Sequence, residues 1–109
     1  MELKEKKCVP CEGGVNPMTV ETTKGYLKEI ANEWEADKNR SIKRDFPFEN
    51  FMQGLDFVNR VGEIAEEEGH HPDLHLYYSH VEVVLSTHAI GGLSENDFIL
   101  AAKIDALIK

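Results

Sequence analysis

Apolar positions repeat most clearly between residues 49 and 68, where they follow the period of one helix face. Apolar or small side chains recur there at spacings of four and three residues: Phe51, Leu55, Val58, Gly62 and Ala65. Phe57, Val61 and Ile64 widen this face, and Gly69 stands where helices commonly end on a glycine. The pattern predicts a helix with an apolar face broad enough to pack a sheet and a second subunit.

Two further helices flank this segment. Four apolar side chains at helical spacing predict a helix over 20–33: Tyr26, Leu27, Ile30 and Ala31. Thr19 or Thr22 is a suitable N-cap for it. Near the C-terminus, Ser94 followed three residues later by Asp97 is a variant of the capping box, so the last helix is expected to begin there. Its expected buried stripe is Phe98, Ala101, Ala102 and Ile108, with Ile104 beside it.

Between the helices the apolar period changes to two, which is typical of strands. Two short antiparallel strands are predicted over 34–48, joined by a polar turn at 37–40 and ended by Pro47. A second pair is predicted over 74–78 and 80–87, since Val81, Val83 and Leu85 alternate with polar neighbours.

The elements follow in the order α-β-β-α-β-β-α, which predicts the α+β class. We expect a single domain with a four-stranded antiparallel sheet and helices packed on one face. This domain covers residues 19–109. Residues 1–18 are expected to form a loop-like N-terminal extension, because Pro10, Gly13, Gly14 and Pro17 interrupt any regular period.

Composition narrows the possible partners. The 109 residues include 20 acidic and 12 basic side chains, a net charge of −8, which disfavours direct binding to nucleic acid and to anionic membranes. There is no apolar run of the roughly 20 residues that a membrane span needs, and no apolar core of a signal peptide. We therefore expect a cytoplasmic protein whose partners are small molecules, another protein or other copies of itself.

The two cysteines, Cys8 and Cys11, have the spacing Cys-x-x-Cys. Such a pair is compatible with half of a zinc site or with a redox motif. It lies, however, in a segment rich in proline and glycine, and no second pair follows. A surface turn with free thiols is the simplest interpretation.

All five histidines lie between positions 70 and 88. Imidazole exchanges protons near neutral pH, since its unperturbed pKa is about 6.5, so a cluster indicates proton transfer or metal binding. Glu66 precedes His70 by four residues and is expected to orient it, and His88 follows the last strand at the same rim of the sheet. A metal site formed by Glu66, His70 and His71 remains an alternative, but their spacing is not diagnostic.

Other polar residues in this region have simpler explanations. His75 and His80 alternate along strands and are expected to face solvent or an interface. Asp97 is accounted for by capping, and Tyr78 by packing in the core.

The spacing of seven positions resembles the signature of the pterin-4a-carbinolamine dehydratases. These positions are Glu66, His70-His71-Pro72, Tyr78, His88 and Asp97. The segments Leu85-Ser86-Thr87-His88 and Gly92-Leu93-Ser94-Glu95 also resemble this family, as do Trp34 and Phe46-Pro47-Phe48 upstream. The resemblance covers about residues 18–108 and leaves the two cysteines outside.

The resemblance implies a lyase that uses neither cofactor nor metal. It would remove water from 4a-hydroxytetrahydropterin to give quinonoid dihydropterin, and so support tetrahydropterin recycling. The implied catalytic residues are His70, His71, His88 and Glu66, and those implied to bind substrate are His71, Asp97 and Tyr78. The family also implies a homodimer or homotetramer.

Two other functions stay open at this stage. One is a dimerising binding module with an idle pocket, which the three intact histidines argue against. The other is a metal-dependent hydrolase that uses the histidines together with Cys8 and Cys11.

Overall fold

The computed structural model describes residues 2–9 and 15–108, and within them the predicted α+β order is confirmed. The helices are α1 (Val20–Leu27), α2 (Phe51–Glu68) and α3 (Glu95–Ala106). The strands are β1 (Glu35–Asp37), β2 (Ser41–Pro47), β3 (Asp73–Leu76) and β4 (His80–Leu85). Single 3₁₀ turns cover Leu3–Glu5 and His88–Ile90. None of the described helices is long and apolar enough to cross a membrane.

The four strands form one antiparallel sheet in the order β1-β2-β4-β3. Lys38 and Asn39 have φ of 52° and 56°, so the three-residue loop 38–40 between β1 and β2 begins with two residues in the left-handed conformation. Alternate side chains of β2 and β4 are buried on one face: Ile42, Phe46, Val81, Val83 and Leu85. The helices cover this face, and the core lies between the two layers.

Local capping sets the helix boundaries. The Thr19 side chain accepts a hydrogen bond from the Thr22 amide, and that of Asn50 accepts one from Gln53. Gly69 ends α2 with a φ of 67°, a conformation that glycine adopts without steric cost. The predicted capping box at the start of α3 is present.

One predicted boundary was wrong, for a reason that lies far away in the sequence. Helix α1 ends at Leu27 rather than 33, because the following segment turns to reach Asp105 on α3. Asp105 accepts hydrogen bonds from the Ala31 amide at 3.1 Å and from Trp34 Nε1 at 2.8 Å. It also pairs with the buried Arg44 at 2.7 Å. Ile30 and Trp34 of this segment are thus buried without a helix.

The apolar stripe of α3 also differs from the prediction. Phe98, Ala101 and Ile104 are buried as expected, but Ile108 lies beyond the end of the helix and is exposed. Ile99 and Leu100 are buried in addition, so almost the whole circumference of α3 is covered. The reason is that α3 packs between other helices and the N-terminal segment as well as above the sheet.

Residues 2–9 lie against α3. Leu3 is buried in the core, and Lys6 Nζ pairs with Glu95 Oε2 at 2.9 Å. The hydroxyl of Tyr26 donates to the same oxygen at 3.0 Å. The hydrogen bond from Lys6 holds the pKa of the Glu95 carboxyl below its usual value. Cys11 and the turn residues Pro10, Gly13 and Gly14 lie outside the described residues.

Candidate active site

Three of the five histidines meet at one cavity of about 260 Å³. His70 and His71 reach it from the segment after α2, and His88 from the 3₁₀ turn after β4. Six other residues complete the lining: Val9, Gly69, Ser86, Thr87, Ala89 and Asn96. Larger cavities of about 500 and 720 Å³, each lined by described residues, contain no histidine.

The positions of these histidines follow from the ends of two elements. Gly69 stops α2 in the left-handed conformation, and the His70 amide donates to the Ala65 carbonyl at 3.2 Å, so the chain leaves the helix axis there. On the other side, the Thr87 amide donates to the Gly92 carbonyl at 2.8 Å and closes the loop that carries His88. A helix end and a strand end thus lie at one rim of the sheet.

His70 is paired with a buried carboxylate. Its Nε2 lies 2.6 Å from Oδ1 of Asp97, and the two side chains are 12% and 0% exposed. A carboxylate only accepts hydrogen bonds, so Nε2 of His70 is the donor. Nδ1 is therefore the imidazole nitrogen left to exchange a proton with a ligand.

Asp97 is held by two more donors. Its Oδ2 accepts from the Thr87 hydroxyl at 2.8 Å and from the Ser94 amide at 3.0 Å. The carboxylate thus caps α3 with one oxygen and binds His70 with the other. Its position at a helix N-terminus favours the negative charge.

His71 has its own acidic partner, which differs from the predicted pairing. Glu66 was expected to orient His70, but its Oε1 lies 2.6 Å from Nε2 of His71. The helical spacing between positions 66 and 70 does not apply, because α2 ends before His70. The Glu66–His71 pair is exposed, unlike the pair formed by His70.

His88 completes the group of three. Its side chain is exposed at the cavity, and no described residue makes a hydrogen bond to its imidazole. The cavity thus contains His70, which the buried Asp97 orients, and His88, which is open to solvent.

The remaining candidates lie elsewhere. Tyr78 is in the turn between β3 and β4, is 82% exposed and is not among the residues that line this cavity. It is therefore not a core residue, and its substrate-binding role stays a prediction. His75 and His80 lie on strands near Glu82 and Asp45, at 3.9 Å in each case.

The described residues show no group of three or more acidic, histidine or cysteine side chains arranged to hold a metal ion.

Cys8 is a free thiol, half-buried, and its Sγ lies 3.6 Å from the Asn96 carbonyl. Burial, and next the Glu68 carboxylate, raise the pKa of this thiol to about 12.

Several lining residues were not singled out from the sequence. Thr87 could have been found, because it precedes His88 in the segment that carries the family resemblance. Asn96 and Val9 gave no such signal. In the sequence, Asn96 has no feature that distinguishes it from an ordinary first-turn residue of α3. Val9 lies outside the region of resemblance.

Comparison with known proteins identifies the family of this chain. The family described as Pterin 4 alpha carbinolamine dehydratase matches residues 16–107. A protein of Halorhodospira halophila is 54% identical over 108 residues, covering 98% of each chain. One of Rubrobacter xylanophilus is 47% identical over 106 residues, covering 97% of this chain and 98% of the relative. Both are named "Putative pterin-4-alpha-carbinolamine dehydratase".

Two solved structures share the fold. A transcriptional coactivator/pterin dehydratase from Brucella melitensis superposes with a TM-score of 0.79 at 29% identity, covering 86% of this chain and 100% of that one. A pterin dehydratase-like protein described as a RuBisCO assembly factor in the alpha-carboxysome gives a TM-score of 0.59 at 25% identity, covering 69% and 88%. The match over 16–107 and the identity to relatives along the whole chain show that this protein belongs to the pterin-4a-carbinolamine dehydratase family.

Proposed function

We propose that this protein is a hydro-lyase that converts 4a-hydroxytetrahydropterin to quinonoid dihydropterin in the cytoplasm, and so supports tetrahydropterin recycling. The observation that carries the proposal is the pairing of His70 with buried Asp97 at a cavity that also contains His71 and His88. The family and the names of the relatives supply the substrate class.

The reaction needs one acid and one base but no electron transfer. The bond between C4a and the hydroxyl oxygen breaks, and this oxygen leaves as water after it takes a proton. N5 loses its proton, and its electron pair forms the C4a–N5 double bond. Proton donors and acceptors placed at adjacent atoms accelerate such a step by roughly 10²–10⁴-fold each.

His70 is the group best suited to take the N5 proton. Nε2 donates to Asp97, so Nδ1 is available as the acceptor. The imidazolium that forms is then stabilised by a buried carboxylate at 2.6 Å, as in other histidine–carboxylate pairs. Asp97 is fully buried and both its oxygens are occupied, so we assign it to positioning His70 rather than to contacting the substrate.

His88 is then the group that protonates the departing hydroxyl, because it faces the same cavity without a fixed partner among the described residues. His71 holds the pterin, and Glu66 orients His71 through their 2.6 Å hydrogen bond.

The experiment that tests this proposal is a stopped assay of carbinolamine decay. We expect wild type to accelerate decay above the uncatalysed rate, and His88→Ala to lose roughly 10²-fold or more of that acceleration. A wild-type rate equal to the uncatalysed rate would contradict the proposal. It would favour a role in binding or assembly, such as those in the descriptions of the two structural neighbours.

We also propose that the chain forms a homodimer or homotetramer. Phe51 and Met52, at the start of α2, are 41% and 68% exposed, and among the described residues no strand pairs with the outer edge of β1 or of β3. Light scattering after gel filtration should give a multiple of the chain mass. Met52→Glu should lower that mass, whereas Asn59→Glu, an exposed polar position of the same helix, serves as the control.

A further inference from the structure

Val9 is an apolar side chain that lines the histidine cavity although two thirds of it is exposed. Its exposed fraction is 66%. It lies outside residues 16–107, the range of the family match, so the match assigns it no role. Most of Val9 is left uncovered by the rest of the protein. It is therefore available for contact with a bound molecule.

The backbone of Val9 is fixed at both polar atoms by one buried side chain. The Val9 amide donates to Oδ1 of Asn96 at 3.0 Å, and Nδ2 of Asn96 donates to the Val9 carbonyl at 2.6 Å. Asn96 is 4% exposed. A two-point contact of this kind defines both the position and the orientation of the residue it binds.

The neighbouring residue is held in a second way. The Cys8 amide donates to Oε1 of Glu68 at 2.8 Å, and the Glu68 side chain is only 5% exposed. Glu68 ends α2, and Asn96 lies in the first turn of α3. The Cys8-Val9 backbone is thus attached to the same two elements that position His70 and Asp97.

We propose that Val9 is a specificity-determining residue of the cavity and that Asn96 is the positioning residue that holds it there. This inference rests on the proposed dehydratase function and adds a substrate contact to it. Val9 offers methyl groups to the flat face or to the side chain of a reduced pterin. The histidines act on C4a and N5 from other parts of the lining.

Such a contact should affect KM and leave kcat nearly unchanged. Neither C4a nor N5 reacts with Val9, so the contact is equally strong in the ground state and in the transition state. Removing two methyl groups from an apolar contact weakens binding by roughly three- to tenfold. Asn96 acts through Val9, so replacing Asn96 should raise KM by a similar factor. It should cause no further rise once Val9 has been replaced.

The test is a double-mutant cycle with Val9→Ala and Asn96→Ala, read as KM and kcat for carbinolamine. We expect each single variant to raise KM roughly three- to tenfold with kcat within about twofold of wild type. In the double variant, KM should not exceed that of the worse single variant, because both changes remove the same contact. Val9→Ile keeps the apolar contact, so its KM should equal that of wild type. Val9→Thr keeps the shape but has a hydroxyl in place of one methyl group, so its KM should be raised.

The outcomes separate this inference from the proposed function. If wild type is active and Val9→Ala leaves KM unchanged, the inference about Val9 is overturned and the proposed function is not. So would additive effects in the cycle, which would mean that Asn96 acts by another route. Val9 is exposed, so its variants remain informative even if Asn96→Ala does not fold. A wild type that does not accelerate decay would overturn the proposed function, and the role of Val9 with it.

Discussion

Nε2 of His70 lies 2.6 Å from Oδ1 of Asp97, and the other oxygen of that carboxylate caps helix α3. One side chain thus ends a helix and orients an imidazole. The sequence explained Asp97 by capping, and the family resemblance added a role in binding the substrate. The structure combines the cap with a contact to His70, and this contact leaves Nδ1 as the imidazole nitrogen that can exchange a proton.

Asp97→Asn should abolish most of the activity while preserving the fold. Thr87 and Ser94 both donate to Oδ2, so the amide oxygen of asparagine will take that position and its NH₂ group will face His70. His70 must then accept at Nε2, which puts the proton on Nδ1. We expect kcat to fall by roughly 10²–10⁴-fold, as when a histidine is held in the wrong tautomer.

Thr19→Ala is the matched control for this variant. It removes the cap of α1, far from the cavity, and should lower the free energy of unfolding by about 1 kcal/mol. Its kcat should equal that of wild type. Equal activity losses in both variants would mean that stability, and not the His70 tautomer, determines the rate.

Glu66→Gln should have a much weaker effect than Asp97→Asn. The Glu66 and His71 side chains are 80% and 59% exposed, and exposed ion pairs contribute at most about 1 kcal/mol. We expect kcat/KM to fall by no more than about fivefold, mainly through KM. A loss comparable to that of Asp97→Asn would show that His71, rather than His70, performs the proton transfer.

Local sequence patterns predicted the elements well where neighbouring residues determine them. Thr19, Gly69 and the Ser94–Asp97 pair set helix ends through contacts within four residues. The alternation around Val83 is visible because one face of β4 is buried.

Contacts between distant residues could not be predicted in this way. The hydrogen bond from Trp34 to Asp105 joins residues 71 positions apart, and it determines where α1 stops. His70 and Asp97 are 27 positions apart, and their pairing depends on how α2 and α3 pack. The proximity of the histidines was predictable from the order of the elements, but the partner of each histidine was not.

Asp105→Ala should destabilise the fold strongly. Arg44 and Asp105 are 9% and 12% exposed, so the substitution leaves a buried guanidinium without its main partner, and Trp34 loses its acceptor as well. We expect a loss of about 3–5 kcal/mol in the free energy of unfolding measured with urea. Arg60→Ala breaks an exposed pair with Asp56 and should cost less than about 1 kcal/mol. Similar losses in the two variants would contradict this account of the core.

Cys8 should be an unreactive thiol in the folded protein. Its pKa is raised to about 12, first by burial and then by Glu68, so the thiolate is scarce at neutral pH. At pH 8 the thiolate fraction is about 10⁻⁴, against roughly a quarter for an ordinary cysteine of pKa about 8.5. In the Cys11→Ser variant, iodoacetamide should react with the folded protein about 10³-fold more slowly than in urea, and the rate should rise with pH. Comparable rates in the two states would point to a reactive, redox-type cysteine.

The rate of carbinolamine decay with His70→Ala, measured beside His75→Ala, tests the central claim most directly. Both variants remove one imidazole, but only His70 lies at the cavity and pairs with Asp97, whereas His75 lies on β3. We expect wild-type acceleration with His75→Ala and a loss of roughly 10²-fold or more with His70→Ala. Equal rates for the two variants would contradict that claim.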